Sequence, residues 1–218
     1  MLQNIVAQIS AFTILTLASQ VNVVPIPVSG NVLSSHEISL DNRYPNENIN
    51  EIFKDNILLN LAYSVGRVTK KEDINWAEIK TPFHYELRLE SGETFAYHDD
   101  VLPQYFGRQI KTTNAHFNGI EGFRSSGYLY GDGVCHLASL MYWAAKDAGL
   151  ETYAPTNHNF MVIPEIPREY GVSILSNPYI KGNDAMQNLY ITNNKEKAVL
   201  FIFDYYNHKL KLSVTEEN

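Results

Sequence analysis

Cysteine is all but missing from this chain: its 218 residues include one, Cys135. A single cysteine excludes an internal disulfide and any zinc site built from several thiolates. Excess positive charge is missing too, with 17 Lys and Arg against 24 Asp and Glu and a net charge of −7. Phosphate recognition needs clustered basic side chains, so nucleic acid is not an expected partner. The same shortage argues against polybasic attachment to anionic lipid. Internal repeats and low-complexity runs are also lacking. What remains, 44% hydrophobic and 12% aromatic residues, is the composition of a folded chain. The length suits one sizeable core with a small appendage.

Charge is absent from the beginning of the chain, where no acidic or basic residue precedes Glu37. Residues 4–19, NIVAQISAFTILTLAS, are apolar with scattered Gln, Ser and Thr. The run is short and polar for a spanning helix, which needs about 20 mostly apolar residues. It suits the hydrophobic region of a signal peptide, with Thr16-Leu17-Ala18 as a small-residue cleavage site. The basic leader of such a peptide is missing, so an uncleaved anchor and a buried helix stay open as readings. The expected organisation is a signal peptide or membrane anchor at 1–20, a linker or extended arm at 21–48 with Pro25, Pro27, Gly30 and Pro45, and a single α+β domain at 49–218.

Within that domain, Ile52, Phe53, Ile57 and Leu61 recur at helical spacing, with Asn50, Lys54 and Asn60 opposite, and predict a helix over 49–63. Residues 83–98 alternate on both sides of Ser91-Gly92 and predict a hairpin. Gln109 to Thr113 reads as a short strand. Residues 114–130, rich in Gly, Ser and aromatics, read as a loop that walls a site. Strands are expected at 160–163, 170–175, 189–192, 198–205 and 209–214, the last two joined over Tyr206-Asn207-His208. One helix followed by an antiparallel meander gives the α+β class, an antiparallel sheet packed on a central cysteine-bearing helix with a further helix from the N-terminal half.

That central helix lies in Gly131 to Leu150, GDGVCHLASLMYWAAKDAGL. Leu137, Met141, Ala144, Ala145 and Ala148 share one face, and Gly149 sits where a left-handed cap closes a helix. Cys135 falls in the first turn. Unpaired N–H groups and the positive end of the dipole favour a thiolate there, so a lowered thiol pKa is expected.

This stretch carries a family resemblance. Phe117-Asn118, Gly122, Arg124, Gly127-Tyr128, Gly131-Asp132-Gly133-Val134-Cys135 and Ala148-Gly149-Leu150, continuing to His158 and to residues 188–194, resemble the VanW-like domain named from vancomycin-resistance operons. The likeness covers roughly residues 93–214, about half the chain. It implies a bacterial cell-envelope protein, exported or membrane-anchored, in contact with the membrane only through its N-terminal segment. It hands over no settled activity. A second, looser similarity, to transglutaminase-like cores, rests on one helix and one strand. Two positions depart from the VanW-like pattern: Gly171 stands where an Asp is common, and His136 where a Gln commonly follows the cysteine.

Cys135 and His158 are the candidate catalytic pair, nucleophile and base, with Asn157, Asn159, Glu165 or a residue on the strand after Tyr170 as the group that orients the imidazole. Backbone N–H groups of Cys135 and His136 are candidate oxyanion donors. Arg124, His136, Asp132, Phe117 and Tyr128 are candidate substrate-binding residues, Arg124 either as a clamp for a carboxylate or paired with Glu121. His98-Asp99-Asp100, His116, His136 and His158 carry metal-ligand side chains without any local ligand spacing, so no metal and no other cofactor is expected. Two functions stay open. One is thiol-dependent acyl transfer or amide hydrolysis on a peptide, with peptidoglycan as the expected partner. The other is a non-catalytic binding or scaffolding module in which Cys135 and His158 are structural. Oligomeric state is not legible.

Overall fold

The computed structural model describes residues 30–127, 130–177 and 184–218. The segment 1–20 expected to be a signal or anchor lies outside the described residues, as does Tyr128. In chain order the elements are β1 (Asn31–Ser39), α1 (Glu47–Ser64), α2 (Trp76–Ile79), β2 (Phe83–Leu89), β3 (Thr94–Ala96), β4 (Ile110–Lys111), α3 (Val134–Asp147), β5 (Glu151–Tyr153), β6 (Tyr190–Thr192), β7 (Val199–Tyr206) and β8 (Lys209–Glu216). The architecture is α+β. One sheet runs β1-β8-β7-β2 and is antiparallel throughout. The other runs β4-β3-β6-β5, with β3 and β4 parallel. Among the described residues no helix is long and apolar enough to cross a membrane.

Period-two patterning builds the larger sheet. Tyr85, Leu87 and Leu89 of β2 point into the core, while His84, Glu86 and Arg88 face out. Asp204 of β7 stands opposite His84 and accepts from it at 2.7 Å. Between β7 and β8 the turn residues Asn207 and His208 have φ of 47° and 59°, the left-handed pair that a tight hairpin requires. Helix α3 packs on β1 and β8 of this sheet, on β5 of the other and on α1. Its end follows the expected cap: Gly149 has φ +70°, its N–H reaches Lys146 O and Leu150 N–H reaches Ala145 O, each at 3.0 Å.

Four expectations are corrected. The arm read over 21–48 includes β1, which pairs with β8 from Asn31 to Ser39 and so belongs to the folded unit. A bulge at Val32/Ser34 frees Ser34 Oγ to donate to Ala144 O of α3 at 2.7 Å. Residues 83–98 do not form a hairpin: after the turn at Ser91-Gly92 the chain changes sheets, β2 pairing with β7 and β3 with β6. No strand forms over 160–163, where Pro164 and Pro167 leave the main chain without a ladder. Over 170–175 pairing is reduced to one bridge, Asn157 with Val172.

On α1 the polar residues are buried along with the apolar face: Asn50, Asn56 and Asn60 are each at most 4% exposed. Asn56 replaces a main-chain partner for the loop ahead of α3. Its Oδ1 accepts from Arg124 N–H at 2.8 Å, and its Nδ2 donates to Arg124 O at 3.0 Å and Asp132 O at 2.9 Å. Asn60 Nδ2 donates to Tyr97 Oη at 2.6 Å, and Tyr97 Oη in turn donates to Val134 O at 3.2 Å. Truncating Asn56 leaves main-chain groups buried without partners, each costing roughly 1–3 kcal/mol. Asn56→Ala is expected to lower unfolding stability by about 3 kcal/mol in a urea titration, whereas Asn48→Ala on the exposed side of the same helix is expected to stay within about 0.5 kcal/mol.

Candidate functional site

Two glycines bring the start of α3 to its place. Gly133 caps the helix with φ +95°, and a Cβ there would come within 2.6 Å of Phe53 O. The helix therefore begins in direct contact with the α1 backbone, and only glycine permits that approach. A cleft of ≈ 140 Å³ opens at this point. Its walls are the 131–136 turn, Phe53, Phe117, the segment 158–161 and the segment 174–176. Cys135, His136 and His158 all face it, so the structure brings together residues more than 20 positions apart in sequence.

Cys135 is partly exposed. Its sulfur accepts from Ile174 N–H at 3.4 Å, and the thiol donates to Ile174 O at 3.7 Å. Burial pushes the thiol up to about 11, against weaker pulls from the N–H groups of Ile174 and of Cys135 itself, and nearby Asp132 adds to the rise. The lowered pKa expected from the helix terminus is thus overturned. Burial is the reason, and the first turn opposes it only weakly because three of its donors are already bonded: Val134 N–H on Gly131 O at 3.0 Å, His136 N–H on Gly133 O at 2.9 Å, Leu137 N–H on the same oxygen at 3.3 Å. The expectation that His136 offers its backbone N–H to an oxyanion falls with this. Among the described residues, Cys135 N–H has no main-chain acceptor.

His158 is 4% exposed and anchored by its N–H on Gly171 O at 3.2 Å. Its Nδ1 lies 3.1 Å from Met161 O, an acceptor only, so Nδ1 carries the proton and Nε2 keeps a lone pair. The ring packs on Phe160 at 3.9 Å between centroids, and burial holds its pKa below 6.5. Among the described residues no hydrogen bond joins the sulfur to His158; the cleft is what they share.

The expected orienting groups are elsewhere. Asn157 Nδ2 donates to Arg168 O at 3.4 Å, and its Oδ1 is buried without a partner. Asn159 is exposed and contributes its main-chain carbonyl to Arg168. Glu165 accepts from the buried Arg43 at 2.7 Å. The Met161 carbonyl does the orienting, a role invisible in sequence because every residue has one. Gly171 nevertheless sits where a side chain would reach the imidazole: its Cβ would lie 3.3 Å from His158 Cβ.

Among the binding candidates, Phe117 and Asp132 line the cleft. Asp132 Oδ2 accepts from Ser126 N–H at 2.7 Å, and Phe117 is held in the left-handed region at φ 59°. Arg124 does not line it. Its guanidinium pairs with buried Asp55, which also takes Lys80 at 2.6 Å, so neither the carboxylate clamp nor the pairing with Glu121 is realised. Glu121 instead shares His116 with Asp99, at 2.9 and 3.1 Å, which raises the pKa of this imidazole at the cleft rim. His98 is turned away, its Nε2 3.0 Å from Gln187 O. Among the described residues no three His, Cys, Asp or Glu side chains converge as metal ligands.

A family model described as VanW like protein matches residues 85–215. The chain belongs to the VanW-like family. The match takes in β2 to β8 and both sides of the cleft, and it begins after α1, which supplies Phe53. No curated protein and no solved structure matches the chain. Sequence reasoning missed Phe53, Met161 and Ile174 as site residues. Only the Pro-bounded NHNFMVIP segment, apolar yet strandless, offered a signal, and its Phe160 is 75% exposed beside the cleft.

The imidazoles of this VanW-like protein divide into two sets. Histidine NMR across pH 4–8 is expected to show His116 and His84 losing their protons above 6.5, because carboxylates face them. His136, His98 and His158 are expected to take up protons only below 6.5, because burial disfavours the cation.

Proposed function

We propose that this VanW-like protein performs thiol-dependent acyl transfer or amide hydrolysis on a peptide of the cell envelope, outside the cytoplasm. One observation supports it above the rest: the Cys135 sulfur and an imidazole with its Nδ1 proton fixed on a carbonyl open into a single cleft. In the step proposed, Cys135 Sγ attacks the acyl carbon while its proton passes to His158 Nε2. The proton then goes to the departing amine as the C–N bond breaks, and water or another amine resolves the thioester. Both groups start neutral, so the pair works by general-base transfer rather than as a standing thiolate–imidazolium pair. The envelope location draws support from the family and from the apolar, uncharged residues 4–19.

A second reading, a binding or scaffolding module, is favoured by the sulfur's two contacts with Ile174 and its raised pKa. The two separate on p-nitrophenyl acetate. For an acyl-transfer site, one equivalent of p-nitrophenol per chain is expected from Cys135, at a rate that rises through an inflection below 6.5 and then levels. Cys135→Ser is expected to abolish this release, and His158→Gln to slow it about 100-fold. A rate that is indifferent to His158 and climbs with thiol ionisation toward about 11 would leave only the binding module.

A further inference from the structure

Among the described residues, His136 is a buried side chain of the cleft wall with both polar atoms idle. It is 1% exposed, and neither Nδ1 nor Nε2 has a hydrogen-bond partner. The ring stands edge-on to Phe53 at 5.1 Å and to His158 at 6.1 Å. Native interiors rarely leave both nitrogens of an imidazole idle, and an orphaned pair at a cleft is a place where a ligand completes the bonding. Burial, with Arg43 and His158 close by, drives its pKa well below 6.5, so the ring is neutral and offers one donor and one acceptor.

The surroundings select the partner's charge. No Lys or Arg lines the cleft among the described residues. Arg124 is committed to Asp55, and Arg43 to Glu165. Of the first-turn N–H groups that a carboxylate seeks, those of Val134, His136 and Leu137 are bonded to Gly131 and Gly133, and that of Cys135 faces its own sulfur. Asp132, the acid in the wall, already accepts from Ser126. The rim carries the exposed rings of Phe160 and Tyr130, and His116, whose charge is taken by Glu121 and Asp99. The cations nearest the cleft are thus already paired, and His136 offers a neutral amide a donor or an acceptor.

We propose that His136 binds an uncharged secondary amide beside the reacting carbonyl, so that the cleft takes the interior of a peptide and not its charged end. This rests on the acyl-transfer reading above and narrows its substrate to endo-cleavage or internal acyl donation. Three activated esters separate the parts: the p-nitrophenyl esters of N-acetylalanine, of butyric acid and of succinic acid, the last carrying a free carboxylate. Acylation of Cys135 is expected about tenfold faster with the N-acetylalanyl ester than with the butyryl one, the increment of one buried hydrogen bond, and slowest with the succinyl ester. His136→Phe is expected to abolish the N-acetylalanyl advantage, read as the ratio of the N-acetylalanyl to the butyryl rate within the same variant. His136→Gln, which keeps a donor and an acceptor, is expected to retain the advantage. A merely structural His136 would lower all three rates together and overturn the assignment. So would wild-type protein acylated without preference, or with the succinyl ester fastest, and in those cases the acyl-transfer reading survives. No acylation of the wild type by any ester takes down that reading, and this one with it.

Discussion

The start of α3 is pressed against α1 so closely that no side chain fits between them, and the rest of the site depends on that contact. Gly133 meets the Phe53 carbonyl where a Cβ would be 2.6 Å away. The approach would be costly if the loop ahead of α3 had to hide its own main-chain groups. Asn56 removes that cost by bonding Arg124 at both N–H and C=O and Asp132 at C=O. The buried asparagines of α1 thus act in place of a strand partner for a segment that has no strand. Arg124 is consumed by the same arrangement, because Asp55, one residue before Asn56, holds its guanidinium.

This packing decides the chemistry of Cys135. A helix N-terminus favours a thiolate by about 0.3–1 kcal/mol when its N–H groups are free. Here those of Val134, His136 and Leu137 are bonded within the turn, which leaves Cys135 N–H to act on the sulfur. Raising a thiol from 9.0 to about 11 corresponds to about 3 kcal/mol in favour of the neutral form. Desolvation therefore wins over the dipole, and the sulfur rests protonated against Ile174. The same burial keeps His158 neutral. The two effects have one cause, since burial disfavours the charged form of both groups.

The parts of the fold legible in the sequence are those governed by a period. The C-terminal strands and the α3 face with its Gly149 cap follow the spacing of Phe201, Phe203 and Leu212, and of Leu137, Met141 and Ala144. The parts that misled are those where polarity and burial part company. Asn50 and Asn60 were legible only as a polar face, and Asn56 not at all, because buried asparagine has no local signature; the partners, Leu40, Tyr97 and Arg124, lie outside the helix. Ser91-Gly92 makes the turn it promised, but a turn does not state which sheet the next strand joins. Cys135 and His158 were legible as side chains with reactive chemistry, whereas the Met161 carbonyl that orients the imidazole was not.

The departures at Gly171 and His136 can be understood together. An acid at position 171 would stand beside His158, since a Cβ there lies 3.3 Å from the histidine Cβ. Its charge would raise the imidazole pKa and favour an imidazolium in the resting state. Gly171 removes that charge and leaves the neutral Met161 carbonyl, which fixes the tautomer without favouring the cation. A cation on His158 would also be opposed by a second imidazole at 6.1 Å were that one charged, and His136, buried without a counter-ion, is not. Neither departure places a charge beside His158: Gly171 carries no side chain, and His136 is neutral.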